Sequence, residues 1–144
     1  PYGETWNIDE VQQACELIAD CGVTEISLAD TVGLATSEQI EGVFTAVIGR
    51  FADLEIGAHL HARPVEAAER IRAAFQAGCR RFDTAIGGLG GCPFAQDVLV
   101  GNIPTEVVLA ELRRCGATLP SFGFLDMLIA TNHEISSRFG SAVQ

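Results

Sequence analysis

The chain has 144 residues, 48% of them apolar, with a mean hydropathy of +0.26; that supplies a core and excludes a disordered polypeptide. Nine Lys and Arg against 19 Asp and Glu leave a net charge of −10, without the excess of cations on which nucleic-acid binding depends. No apolar stretch approaches the roughly 20 residues of a membrane helix, so neither nucleic acid nor membrane is an expected partner.

What recurs along the chain is a unit of helix, glycine, short apolar strand and loop. Asp9 to Asp20 places Val11, Ala14, Leu17 and Ile18 at helical spacing, and Cys21-Gly22 stops it. Glu25 to Ala29 reads as a strand that closes on Asp30-Thr31-Val32-Gly33. Thr36-Ser37-Glu38 has the form of a helix start, and Ile40 to Ile48 carries the amphipathic body. Glu55 to Leu60 is the second strand and Pro64 to Ala77 the crossover helix after it, stopped by Gly78. Arg81 to Ala85 is the third strand, with Val98-Leu99-Val100 as a very short fourth. Pro104-Thr105-Glu106 opens a helix that runs to Cys115 before Gly116, and Phe122 to about Arg138 is the final helix. Strands alternating with helices of this length predict βαβ units and a parallel sheet. Three or four strands fit either a small open sheet or half of a (β/α)8 barrel, which needs about 250 residues.

The placement of the reactive residues favours the barrel. Asp30 follows the first strand, His59 and His61 end the second, Cys92 lies in the loop after the third and Asn102 follows the fourth. Functional groups at the carboxyl ends of successive strands mark barrel enzymes, although open α/β sheets bind ligands at the same edge. His59 and His61 lie one pleat apart on one face, where two imidazoles can bind one metal ion and leave sites open for substrate oxygens. The alternative is a hydrogen-bonded histidine pair in a polar sheet end. Asn102 can offer a carbonyl oxygen to a cation or cap the helix that Pro104 opens. Asp30 can serve as a general acid or base, or hold the turn that follows it. Asp83, inside a strand, is expected to pair with Arg80, Arg81 or a neighbouring layer, and His133 to lie on the surface.

The run Gly87-Gly88-Leu89-Gly90-Gly91-Cys92-Pro93-Phe94-Ala95 is the most distinctive segment. Its glycines permit φ > 0 and close approach of backbone to a ligand. A cysteine at its tip is accessible, and Pro93 biases it towards an extended backbone. The other four cysteines (Cys15, Cys21, Cys79 and Cys115) fall in or just after helices and are expected to pack as small hydrophobes. Five scattered cysteines without a CxxC motif favour reduced cytosolic thiols over a disulfide framework. Residues 1–144 carry no charged-then-apolar leader, and from a start at Pro1 without methionine the true N-terminus is expected to lie elsewhere, which leaves organellar targeting open.

The segments Ile26 to Gly33, His59-Leu60-His61, Gly87 to Ala95 and Gly101-Asn102 resemble the 3-hydroxy-3-methylglutaryl-CoA lyase family, with Pro1-Tyr2-Gly3 similar to its segment just upstream. The glycine–cysteine run is the specific part; HxH and Asp-Thr-x-Gly are shared across related metal-dependent aldolase and acyl-CoA condensing barrels. The resemblance implies that residues 1–144 form the C-terminal half of a (β/α)8 TIM barrel, from about the fifth strand onward. It implies His59, His61 and Asn102 as ligands of a divalent cation, Mg²⁺ or Mn²⁺. It makes Cys92 the catalytic cysteine of a mobile loop that includes Gly88, Gly90 and Gly91, and Asp30 an acidic residue close to the substrate hydroxyl. The substrate would be an acyl-CoA, cleaved to acetyl-CoA and acetoacetate by retro-Claisen chemistry, in a cytoplasmic, bacterial-type enzyme. A further ligand aspartate and a catalytic arginine belong to the family's first strand, so this chain is expected to hold half a site and to be inactive alone. It is expected to pair with a missing N-terminal half or a second copy, since a half barrel exposes sheet edges. The stretch Ala62-Arg63-Pro64-Val65-Glu66 departs from the family's pattern after HxH. Arg63, Arg70 and Arg72 are candidates for thioester contacts.

Overall fold

The structure, a computed structural model, describes residues 4–90 and 100–139. Its elements alternate: α1 (Ile8–Asp20), β1 (Glu25–Asp30), α2 (Ser37–Arg50), β2 (Glu55–Ala62), α3 (Pro64–Gln76), β3 (Arg81–Phe82), a 3₁₀ turn (Ile86–Gly88), β4 (Gly101–Asn102), α4 (Thr105–Arg114) and α5 (Leu125–Phe139). Asn7 and Thr36 form capping boxes with Glu10 and Gln39, so local chemistry starts α1 and α2 where the sequence predicts. Among the described residues no helix is long and apolar enough to cross a membrane.

β1, β2 and β3 pair in parallel in chain order. α1, α2, α3 and α4 pack against one another in the same order. One row of helices beside a sequentially ordered parallel sheet is the arrangement of a barrel wall; a doubly wound fold divides its helices between both faces. The expected fourth strand at Val98–Val100 is displaced: Val98 and Leu99 lie outside the described residues, and the observed strand is Gly101–Asn102, antiparallel to β2. The parallel continuation passes instead through the bridge between Ala85 and Pro104. Two residues are too few to carry a periodic pattern, which is why this strand was not legible.

Strand alternation divides the sheet into two faces. Ile26, Ile56, Ala58 and Leu60 turn towards the helices and join Phe44 and Val47 of α2 and Ala67, Ile71 and Ala74 of α3 in one core. The other face is polar. There Arg81 lies against Glu55, with Nε 3.0 Å from Oε1 but outside hydrogen-bond alignment, and Ser27 donates to Asp83 at 2.8 Å.

The cysteines divide less uniformly than expected. Cys15 and Cys79 are fully buried, Cys115 is half-buried, and Cys21 is exposed, because it caps α1 and its thiol donates to the Leu17 carbonyl rather than packing. Burial pushes the Cys79 thiol up to about 11 from an ordinary 9.0. Cys79 therefore resists thiol reagents at mildly alkaline pH while Cys21 reacts at once, an outcome that timed labelling with mass spectrometry reads directly. Its raised value also means that the stability it lends the fold is complete below about pH 9 and is lost as pH climbs towards 11.

Candidate active site

The carboxyl end of β2 brings the predicted histidines together on the polar face. Their ring centroids are 5.1 Å apart at an interplanar angle of 76°. His61 is buried, and its Nδ1 lies 3.1 Å from the carbonyl oxygen of Asp30. A carbonyl only accepts, so this contact selects the tautomer with the proton on Nδ1 and a bare Nε2. His59 is half-exposed, and its Nδ1 faces the Asp83 carboxylate at 3.6 Å. Asp83 is thus more than a partner for Arg81, which it also approaches at 3.7 Å: it is the carboxylate behind His59. Arg80 takes no part, since it donates to the Phe75 and Cys79 carbonyls and stacks on the Phe75 ring.

Asn102 arrives by a different route. The antiparallel register sets it directly opposite His61. Its amide nitrogen donates to the Leu89 carbonyl at 3.0 Å, which leaves Oδ1 as the remaining acceptor. It does not cap α4, whose N-cap is Pro104 with no side-chain cap. The backbone N–H of Asn102 also bonds the Gly90 carbonyl, so the beginning of the glycine run is fastened to this one residue. Gly88 shows why glycine is needed there: at φ 66°, a Cβ would stand 2.9 Å from the Asn102 carbonyl oxygen. Gly91 and Cys92 lie outside the described residues.

Asp30 is placed otherwise than a general acid or base requires. In the register it pairs with Leu60, so its side chain shares the helix face with Ile26 and Leu28, opposite to His59. Its carboxylate accepts from the amides of Leu34 and Ala35, both at 3.0 Å, and from Arg70 at 3.1 Å. This is the turn-holding alternative, and the turn is tight: Gly33 has φ 69°, and a Cβ there would come within 3.0 Å of the His61 carbonyl oxygen. Nor do the arginines of α3 reach out for a thioester. Arg70 is buried against Asp30, Glu66 and the His61 carbonyl, and Arg72 bonds Glu111 at 2.7 Å. His133 is exposed on α5, as expected.

Two imidazoles, His61 with its Nε2 bare, and one amide oxygen form a nitrogen–oxygen donor set that suits a divalent cation of borderline hardness and leaves positions open. Among the described residues no cluster of three His, Cys, Asp or Glu able to hold a metal occurs, so the amide is needed to make three.

The HMGL-like family model matches residues 2–134. The chain is 36% identical over 140 residues to the (R)-citramalyl-CoA lyase of Chloroflexus aurantiacus, covering 97% of this chain and 43% of that protein. It is 36% identical over 114 residues to the hydroxymethylglutaryl-CoA lyase of Bacillus subtilis, covering 79% and 38%. The crystal structure of the Bacillus subtilis HMG-CoA lyase superimposes with a TM-score of 0.82 at 32% identity, over 98% of this chain and 46% of that one. The chain therefore spans about two fifths of the length of the curated relatives it matches.

Exchanging Asp30 for Asn keeps the shape but turns an N–H donor towards one of three donors. The cost is about 1–3 kcal/mol of stability, read as a lowered midpoint in urea with an unchanged slope.

Proposed function

Because the chain belongs to the HMGL-like family, we propose that the full-length protein is a carbon–carbon lyase that cleaves 3-hydroxy-3-methylglutaryl-CoA to acetyl-CoA and acetoacetate. The observation that carries this reading is the pairing of His61 with Asn102, one pleat beyond His59, on one face at the carboxyl end of the sheet. A divalent cation, Mg²⁺ or Mn²⁺, held by His59, His61 and Asn102, would polarise the substrate's oxygens and lower the pKa of its C3 hydroxyl.

The residues of this chain then have separable tasks. His61 and His59 are oriented by the Asp30 carbonyl and the Asp83 carboxylate. When the hydroxyl proton departs, C3–O becomes a carbonyl as the C2–C3 bond breaks, and the electron pair stays on C2 as a thioester enolate. That carbon must be protonated to release acetyl-CoA, and Cys92, on the loop fastened at Asn102, is the proposed donor. Closure of the run that holds Gly88, Gly90 and Gly91 over the substrate would keep water from the enolate. Asp30, with its oxygens committed to the turn and to Arg70, is assigned to positioning, and the hydroxyl base is sought in the rest of the barrel. That remainder would join at the free edge of β1, beside an apolar cleft of about 570 Å³ lined by Trp6, Ile18, Leu28, Leu34 and Val43.

A second reading has its own support. The match to a citramalyl-CoA lyase runs through 97% of the chain, against 79% for the hydroxymethylglutaryl-CoA lyase of Bacillus subtilis at the same identity. Citramalyl-CoA is also a 3-hydroxy-3-methyl thioester, with its carboxylate directly on C3, and the same bond scission yields pyruvate. Product analysis with the full-length protein separates the two. Chelator-sensitive release of acetoacetate from hydroxymethylglutaryl-CoA supports the first, release of pyruvate from citramalyl-CoA supports the second, and neither product from folded, Mn²⁺-loaded protein rejects both. With the active substrate, Cys92→Ser lowers kcat by about 10²–10⁴-fold with Mn²⁺ affinity intact. His59→Ala instead weakens Mn²⁺ binding.

A further inference from the structure

Arg70 is a cation on the buried stripe of a helix. Its neighbours at helical spacing, Ala67, Ile71 and Ala74, are core residues, and its own side chain is only 9% exposed. It satisfies that charge on three elements at once. Nη1 donates to the Asp30 carboxylate of β1 at 3.1 Å and to the His61 carbonyl of β2 at 2.9 Å, while Nη2 donates to Glu66 of α3 at 3.0 Å. Asp30 in turn offers its backbone carbonyl to His61 Nδ1. The contacts close a ring: Arg70 grips the side chain of Asp30 and the backbone of His61, and Asp30's backbone grips the imidazole of His61.

We propose that Arg70 is a positioning residue for His61: by bridging the Asp30 carboxylate and the His61 carbonyl, it holds the two strand ends at the separation that keeps Nδ1–H on the Asp30 carbonyl. It reaches neither substrate nor metal. Its effect is to keep one tautomer populated and so keep Nε2 bare. The fork divides the work: Nη1 alone spans the acceptors on the two adjacent strands while Nη2 holds Glu66 on the same helix, a division that a single ammonium lacks. The part concerning metal affinity rests on the proposed function; the tautomer part does not.

The test uses the full-length, metal-free protein and two readouts. Long-range ¹H–¹⁵N correlation of the histidine rings reports the His61 tautomer, and titration with Mn²⁺ followed by electron paramagnetic resonance reports affinity. Wild type is expected to show His61 protonated on Nδ1. Arg70→Met is expected to convert it to a mixture of tautomers and to weaken Mn²⁺ binding by about tenfold or more. Arg70→Lys, which keeps the charge and serves if the Met variant does not fold, is expected to fall between the two. His61 wholly Nδ1-protonated in either variant, at unchanged Mn²⁺ affinity, overturns the inference. If His61→Ala leaves Mn²⁺ affinity unchanged, the metal reading fails instead, and the tautomer shift alone decides the role of Arg70. A core variant such as Val47→Ala, distant from the ring, controls for general loosening: it is expected to lower stability without moving the His61 signals, and tautomer mixing there would likewise overturn the inference.

Discussion

The rest of the site depends on a buried guanidinium that has to be satisfied. Taking such a charge out of water costs several kcal/mol, which is offset only if its donors all meet acceptors in good geometry. Arg70 places three hydrogen bonds on groups from β1, β2 and α3, so these elements cannot slide past one another without stranding a charge. The exposed pairs Arg50–Glu16 and Arg138–Glu134 impose nothing comparable, because water replaces a lost partner and each is worth at most about 1 kcal/mol. Rigidity at the carboxyl ends of β1 and β2 thus comes from a polar contact beneath the sheet, while the core above α2 and α3 supplies the general stability.

Much of this was readable from the residues because it is written in short-range patterns. Helical spacing, the Thr36-Ser37-Glu38 start and terminal glycines located the helices to within a few residues, and period-two alternation put His59 and His61 on one face. The same alternation, applied to Ile26, Leu28 and Asp30, shows that Asp30 belongs with the apolar face; the aspartate's chemical promise outweighed that simpler signal. Arg70 carried a signal too, a lone cation on an apolar helical stripe, but its partners on the strands are 9 and 40 residues distant, and no local pattern names them. The pairing of Asn102 with His61 was unreadable in principle, since a two-residue antiparallel strand is a product of tertiary closure.

β4 also shows how a fold shared by several chemistries is adapted. The wall of parallel strands and helices matches lyases that act on different thioesters, so the wall alone does not choose the substrate. Asn102 holds the carbonyls of Leu89 and Gly90 with its amide and its backbone N–H, so one residue is both a candidate ligand and the anchor of the glycine run. The start of the glycine run and the candidate donor set are therefore tied together through a single residue.

The polar face of the sheet has a consequence for how such a wall works with an opposite one. The side chains of His59 and Asp83 are 42% and 39% exposed, so water now stands between their 3.6 Å contact and the full strength of its field. A facing wall would expel that water, and Coulomb attraction at fixed distance grows several-fold as the effective dielectric falls from that of water towards that of a protein interior. Without any atom of this chain moving, the row from Ser27 through Asp83 to His59 would pass from a weakly held surface pattern to a preorganised electrostatic environment. Assembly would then act on the chemistry as a change of solvent.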